Sequence, residues 1–144
     1  MPIATNIANI RAGIVTAIHG IAPSYEPRSS ELWRPVDQIR DVPSSTLRSF
    51  FVDIQNIEEE GPVWGGCALH TAELRVWTSY LGLNPAEQQV VTLSDQQDLW
   101  RALHRAEIDG APKFSKAPFE PENDEDGKYW GAHLLTAFLF LPLP

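Results

Sequence analysis

Residues 128–140, KYWGAHLLTAFLF, decide the fold. Successive side chains of a strand point to opposite faces. Trp130, Ala132, Leu134, Phe138 and Phe140 therefore share one face, and His133, Leu135, Ala137 and Leu139 the other. Both sets are apolar, so this strand belongs near a sheet centre or beneath a protein partner. Just before it, PENDEDG (121–127) reads as a turn and APKFSKAPFE (111–120) as a preceding strand. The C-terminal quarter is thus two strands with an acidic tip.

Upstream, SDQQDLWRALHRA reads as a helix. Ser94 is the expected N-cap, with Gln97 where it closes a capping box. Asp95 and Asp98 then favour the positive end of the helix dipole. Leu99, Leu103 and Ala106 form the expected buried stripe, with Trp100 and Ala102 beside it, and Gly110 and Pro112 stop the helix.

Two more strands precede it. LRSFFVDIQNIEEE places Arg48, Phe50, Val52 and Ile54 on one face and Phe51 on the other. Glu58, Glu59, Glu60, Gly61 and Pro62 are expected to end it. CALHTAELRVWTSY sets Ala68, Ala72, Leu74 and Val76 against Glu73, Arg75 and Trp77. A turn over Gly61–Gly66 makes the two an antiparallel hairpin.

At the N-terminus, Ile3, Ile7, Ile10, Ile14, Ile18 and Ile21 recur at helical spacing, giving an amphipathic helix of about five turns. β-Branched residues have modest helix propensity, so this helix depends on packing its isoleucine stripe. Pro23, Pro27, Pro35 and Pro43 mark a connection over about 23–45, with a short strand around Leu32–Trp33. The order helix, two strands, helix, two strands predicts one α+β domain over 1–144. Its sheet is mostly antiparallel, with both helices mainly on one face.

Composition narrows the function. A net charge of −8 opposes a grip on nucleic-acid phosphates, while leaving room for a surface that DNA passes without sticking. Hydrophobic residues make up 43% and charged ones 21%, proportions of a folded domain and not of a disordered chain. A single cysteine, Cys67, supports no internal disulfide or thiolate cluster. No apolar run approaches the ~20 residues of a membrane helix, and a soluble protein is expected.

The chemistry-bearing residues do not assemble into a motif. Glu122, Asp124, Asp126 and Gly127 fall in a calcium-loop register, but that loop needs Asp first and a bidentate Glu twelfth. Glu122 and His133 stand there, so no metal site is expected and the tip reads as solvated charge. His19, His70, His104 and His133 form no ligand array. Cys67 and His70, three apart on a strand, face opposite ways, which removes a nucleophile–base pair. GPVWGG lacks the spacing of a phosphate cradle. No catalytic, cofactor-binding or metal residue is assigned. Aromatics in loops tend to mark interfaces, or else fold back as lids over the core. Trp33 and Trp64 are therefore candidate contact residues. Glu58, Glu59, Glu60, Glu122, Asp124, Glu125 and Asp126 join them as candidates for a subunit interface or a channel lining.

MPIATNIANIRAGIVTAI, the prolonged connection, LRSFFVDIQNI, ELRVWTSYL, SDQQDLWRALHRA and KYWGAHLLTAFLFLPLP, in that order, resemble the tail terminator (tail-completion) proteins of long-tailed bacteriophages. The resemblance covers most of the chain in element order. It implies helices packed on a mostly antiparallel sheet, and a homo-oligomeric, hexameric ring in the virion tail or neck, assembled in the host cytoplasm. Such a ring stops tail-tube polymerisation and offers the head its docking surface. Its partners are the tail tube protein and head–tail connector proteins, with no enzyme activity and no cofactor. The proline-rich segment Tyr25–Ser45 departs from the family pattern. Two other readings stand beside this one: another neck or tail-tube component, and a small acidic inhibitor or immunity protein that binds a basic enzyme.

Overall fold

The computed structural model describes residues 6–27, 32–108, 112–123 and 128–142, with only the backbone of Pro62, Trp64, Lys116, Ala117 and Asn123. Two helices lie on a mixed, mostly antiparallel sheet, the expected α+β class. Helix α1 spans Ile7–His19, opened by Asn6, whose side chain accepts from the Asn9 amide at 2.8 Å. Ile10, Ile14 and Ile18 are buried, with Ile7 and Ile21 packed beside them. The helix is 13 residues long, shorter than the isoleucine period suggests. Ile3 lies outside the described residues.

The connection contains a two-residue strand, β1 (Arg34–Pro35), slightly later than expected. It pairs in parallel with the start of β2 (Ser49–Trp64), Arg34 opposite Ser49. β2 and β3 (Cys67–Ser79) form the expected antiparallel hairpin, but its turn takes only the last two residues of the expected Gly61–Gly66 span. Glu58–Pro62 do not end β2. They continue it to Trp64, through two register irregularities. Carboxylates on a strand without an outer neighbour stay in water, so charge does not interrupt the ladder. The reversal instead falls on Gly65 and Gly66, with φ of 60° and 80°. A two-residue hairpin turn of the favoured hand needs positive φ at both central positions, which glycine supplies without strain.

Helix α2 spans Pro85–Arg105, beginning well before Ser94. Asn84 is the N-cap and Glu87 completes a reciprocal capping box, with bonds of 2.9 and 3.1 Å. Pro85 occupies the first turn, where a missing N–H costs nothing. Ser94 and Gln97 are mid-helix, and Asp95 and Asp98 are buried. Their expected dipole role is therefore replaced by another, described below. The strands β4 (Lys113–Asn123) and β5 (Tyr129–Pro142) pair antiparallel as expected.

The sheet order is β1-β2-β3-β5-β4, so β5 is interior. Gly131 on β5 sits where an added Cβ would lie 2.3 Å from the Glu120 carbonyl, which lets β4 approach. Ile10, Ile14 and Ile18 from α1 and Leu99 and Leu103 from α2 pack on one face. That face carries Phe50 and Val52 of β2, Leu74 and Val76 of β3, and Leu135 and Leu139 of β5. Among the described residues no helix packs on the opposite face, although the Arg11 guanidinium of α1 reaches it, 5.0 Å from the centre of the Phe51 ring.

Replacing Asn84 by Ala should lower the unfolding free energy by about 1 kcal/mol in urea titrations. Ser94→Ala should change it by less than about 0.5 kcal/mol, because a mid-helix serine caps nothing.

Candidate functional site

The most concentrated chemistry is inside the molecule. Arg48 begins β2's approach with φ of 63°, a left-handed backbone held by its amide on Ser79 O (2.7 Å) and its carbonyl on the Arg34 amide (3.0 Å). Its guanidinium enters the core, where Nε donates to both Asp95 oxygens at 3.1 and 3.0 Å. Both side chains are fully buried. Arg48 Nη2 also donates to the Tyr25 carbonyl. The Tyr80 hydroxyl donates to Asp95 Oδ2 at 2.9 Å and lies 2.6 Å from His133 Nε2. Tyr80 has one proton, and an ionised Asp95 takes it. His133 must therefore donate its Nε2–H to the tyrosine oxygen, which fixes the neutral tautomer with Nδ1 as a bare acceptor. Nearby, Asp98 accepts from the Ser24 amide (2.8 Å) and hydroxyl (2.6 Å).

Burial sets the proton affinities. It pushes Asp95 up to about 6, against the lowering effect of Arg48 and of the Tyr80 hydrogen bond. Burial pulls His133 down to about 3 and raises Tyr80 well above its ordinary value. The relay resembles a catalytic constellation in residue types, but a substrate needs to reach it. With Arg48, Tyr80, Asp95 and His133 all at or near zero exposure, the network is closed and structural.

The residues singled out in the sequence fall elsewhere. Trp33 is fully buried, edge-on to Phe50 at 5.9 Å, so it is a core lid and not a contact residue. An indole packed on apolar neighbours removes more surface from water than one held out on a loop. Glu58, Glu59 and Glu60 are exposed, on a strand and not in a loop. Glu122 is exposed near the end of β4. Asp124, Glu125 and Asp126, and the side chain of Trp64, lie outside what the structure describes. His70 pairs across β3–β5 with Leu139 and His133 with Val76, so the two histidines do not meet. Among the described residues no group of His, Cys, Asp and Glu could hold a metal ion, and no helix is long and apolar enough to cross a membrane.

Two surfaces stand out. On the helix-free sheet face, the register aligns Phe51–Trp77–Ala132, Asp53–Arg75–Leu134 and Gln55–Glu73–Thr136. Trp77 and Trp130 pack at 5.3 Å, Leu134 and Phe140 are half-buried, and Phe138 is 37% exposed. This apolar band is bordered by acid. Asp53, Glu58, Glu60 and Glu73 lie on one side and Glu120 and Glu122 on β4, against Arg75 and Lys113. The second surface is the outer side of α2. Val90, Leu93, Gln97, Trp100 and His104 are spaced by three and four residues, and all are exposed. Leu93 is 57% and Val90 48% exposed, and Trp100 stacks on His104. Opposite them on the same helix, Val91, Asp95, Leu99 and Leu103 face inward. The inward aspartates have a signal in the sequence only once the helix start is placed at Asn84.

No family model matches the chain, and no curated protein matches it.

Replacing His133 by Phe removes one titrating group. A histidine held neutral when folded is stabilising above its ordinary pKa, 6.5, and that stability is lost as pH falls toward about 3. The wild type should therefore lose about 1.4 kcal/mol per pH unit relative to the variant across that window, in paired urea titrations. Asp95, raised from 3.8 to about 6, acts oppositely, adding stability as pH falls between those values. Parallel curves for the two proteins would mean that His133 is not held neutral in the core.

Proposed function

We propose that the chain is a structural virion protein, the subunit of a ring that caps a tail tube, stops its polymerisation and gives the head its docking surface. The observation that supports this best is the sheet with helices on one face only. Its interior strand β5 and neighbour β3 present Trp77, Trp130, Leu134, Phe138 and Phe140 on the other. An apolar face of that extent is what association removes from water, and soluble assemblies favour closed symmetry. The element order of the tail terminator proteins adds weight. So does the chain's net charge of −8, which suits a ring that DNA passes through without sticking.

In this reading the mechanism is geometric. One rim of the ring matches the last ring of the tube, and the other presents a surface to which no tube subunit binds. Six subunits form the ring, with the tail tube protein on one side and head–tail connector proteins on the other. The work is done by surfaces, with neither catalysis nor cofactor.

Negative-stain images and light scattering of the purified protein test this. Closed rings several subunits in mass are expected. Extended tubes would make the chain a tube subunit instead. A strict monomer that binds a cationic protein one to one, and releases it at high salt, would make it an acidic inhibitor.

A further inference from the structure

We propose that the occupant of the open sheet face is helix α2 of a second copy of this chain, in a head-to-tail contact. Three observations carry it. First, both surfaces are incomplete in one chain and sit on opposite sides of it. α2 packs its inward residues on the covered face of its own sheet and turns Val90, Leu93 and Trp100 outward. The exposed apolar band lies on the other face. A helix laid there gives the three-layer arrangement that a strand apolar on both faces requires.

Second, the charges are complementary. Arg101 flanks the outer seam of α2 toward its C-terminal end, 52% exposed and 3.9 Å from the Asp98 carboxylate, and with Arg105 it lines the groove against Ile21 and Ser24. The sheet face carries six carboxylates to three basic side chains, Arg75, Lys113 and the Arg11 that reaches over Phe51, and Glu73 is half exposed. Two sheet faces set against each other would bring like charges together, so a symmetric sheet-to-sheet pair is disfavoured. Two α2 seams would leave both apolar sheet faces in water.

Third, the dimensions agree. A helix of 21 residues is ~31 Å long, within the ~46 Å of a 14-residue strand. Because the two patches differ, the contact is heterologous, and repeated copies form a ring if the rotation closes and a filament if it does not. The inference deepens the ring reading above and depends on it for closure alone.

Two variants test it, each at an exposed side chain: Leu93→Glu on the helix and Phe138→Glu on the sheet, with circular dichroism confirming the fold. Should Phe138→Glu unfold, Thr136→Lys on the same strand face serves in its place. In sedimentation experiments the wild type is expected to self-associate, and each variant about 100-fold more weakly. Mixed one to one, the variants should recover association and stop at two subunits, because one supplies an intact sheet face and the other an intact helix. A variant that assembles like the wild type overturns the proposal, as does a mixture that stays monomeric or a wild type monomeric at about 1 mM. Imaging separates the two readings. Filaments, with complementation intact, keep this contact and remove the ring. Rings that form equally well from both variants keep the ring and remove this contact.

Discussion

The buried ion pair between Arg48 and Asp95 is the constraint on which the rest of the fold depends. It joins residues 47 apart at zero exposure. Withdrawing two ions from water costs several kcal/mol each, and their attraction offsets this only when the remaining hydrogen-bonding groups also find partners. Here the partners come from the whole fold. Tyr80 follows β3, His133 lies on β5, and the Tyr25 carbonyl comes from the N-terminal connection. A one-turn slip of α2 would leave an arginine and an aspartate bare in the core. The pair therefore acts as a register lock more than as a source of net stability.

That lock settles a question that hydrophobicity leaves open. α2 is apolar on two sides, with Val91, Leu99 and Leu103 on one and Val90, Leu93 and Trp100 on the other. The inward side also carries Asp95 and Asp98, residues that burial alone would reject. Arg48 and Ser24 are waiting for them. Electrostatic pairing thus selects which side packs and leaves the other apolar side in solvent. The same choice exposes Val90, Leu93 and Trp100.

The sheet shows a parallel division. Phe50, Val52, Leu74, Val76, Leu135 and Leu139 face the helices, and of the described helices only Arg11 reaches the strand residues between them, over Phe51. Trp77 and Trp130 reduce their own exposure by packing on each other over Ala132. Their indole N–H groups are buried without hydrogen-bond partners, a cost that a well-finished surface avoids. The covered face behaves as the core of a domain, and the other leaves its apolar side chains partly in water.

Local pattern determined the α+β class, the isoleucine face of α1, both hairpins and the two-sided character of β5, because side-chain periods of 3.6 and 2 are printed directly in the residue order. It misplaced the start of α2, since Ser94 with Gln97 and Asn84 with Glu87 spell similar caps and only chain packing distinguishes them. It also ended β2 at its glutamates, where an edge open to water lets charge remain within a strand. The exposed glutamates were legible as surface and Trp33 was not legible as core, because solvation is a property of single residues and burial a property of neighbours. Only the tertiary structure decided that Arg48, Tyr80, Asp95 and His133 meet, which face of the sheet stays open and which side of α2 looks outward. Those outcomes rest on pairings between residues far apart in the chain, and no local period encodes them.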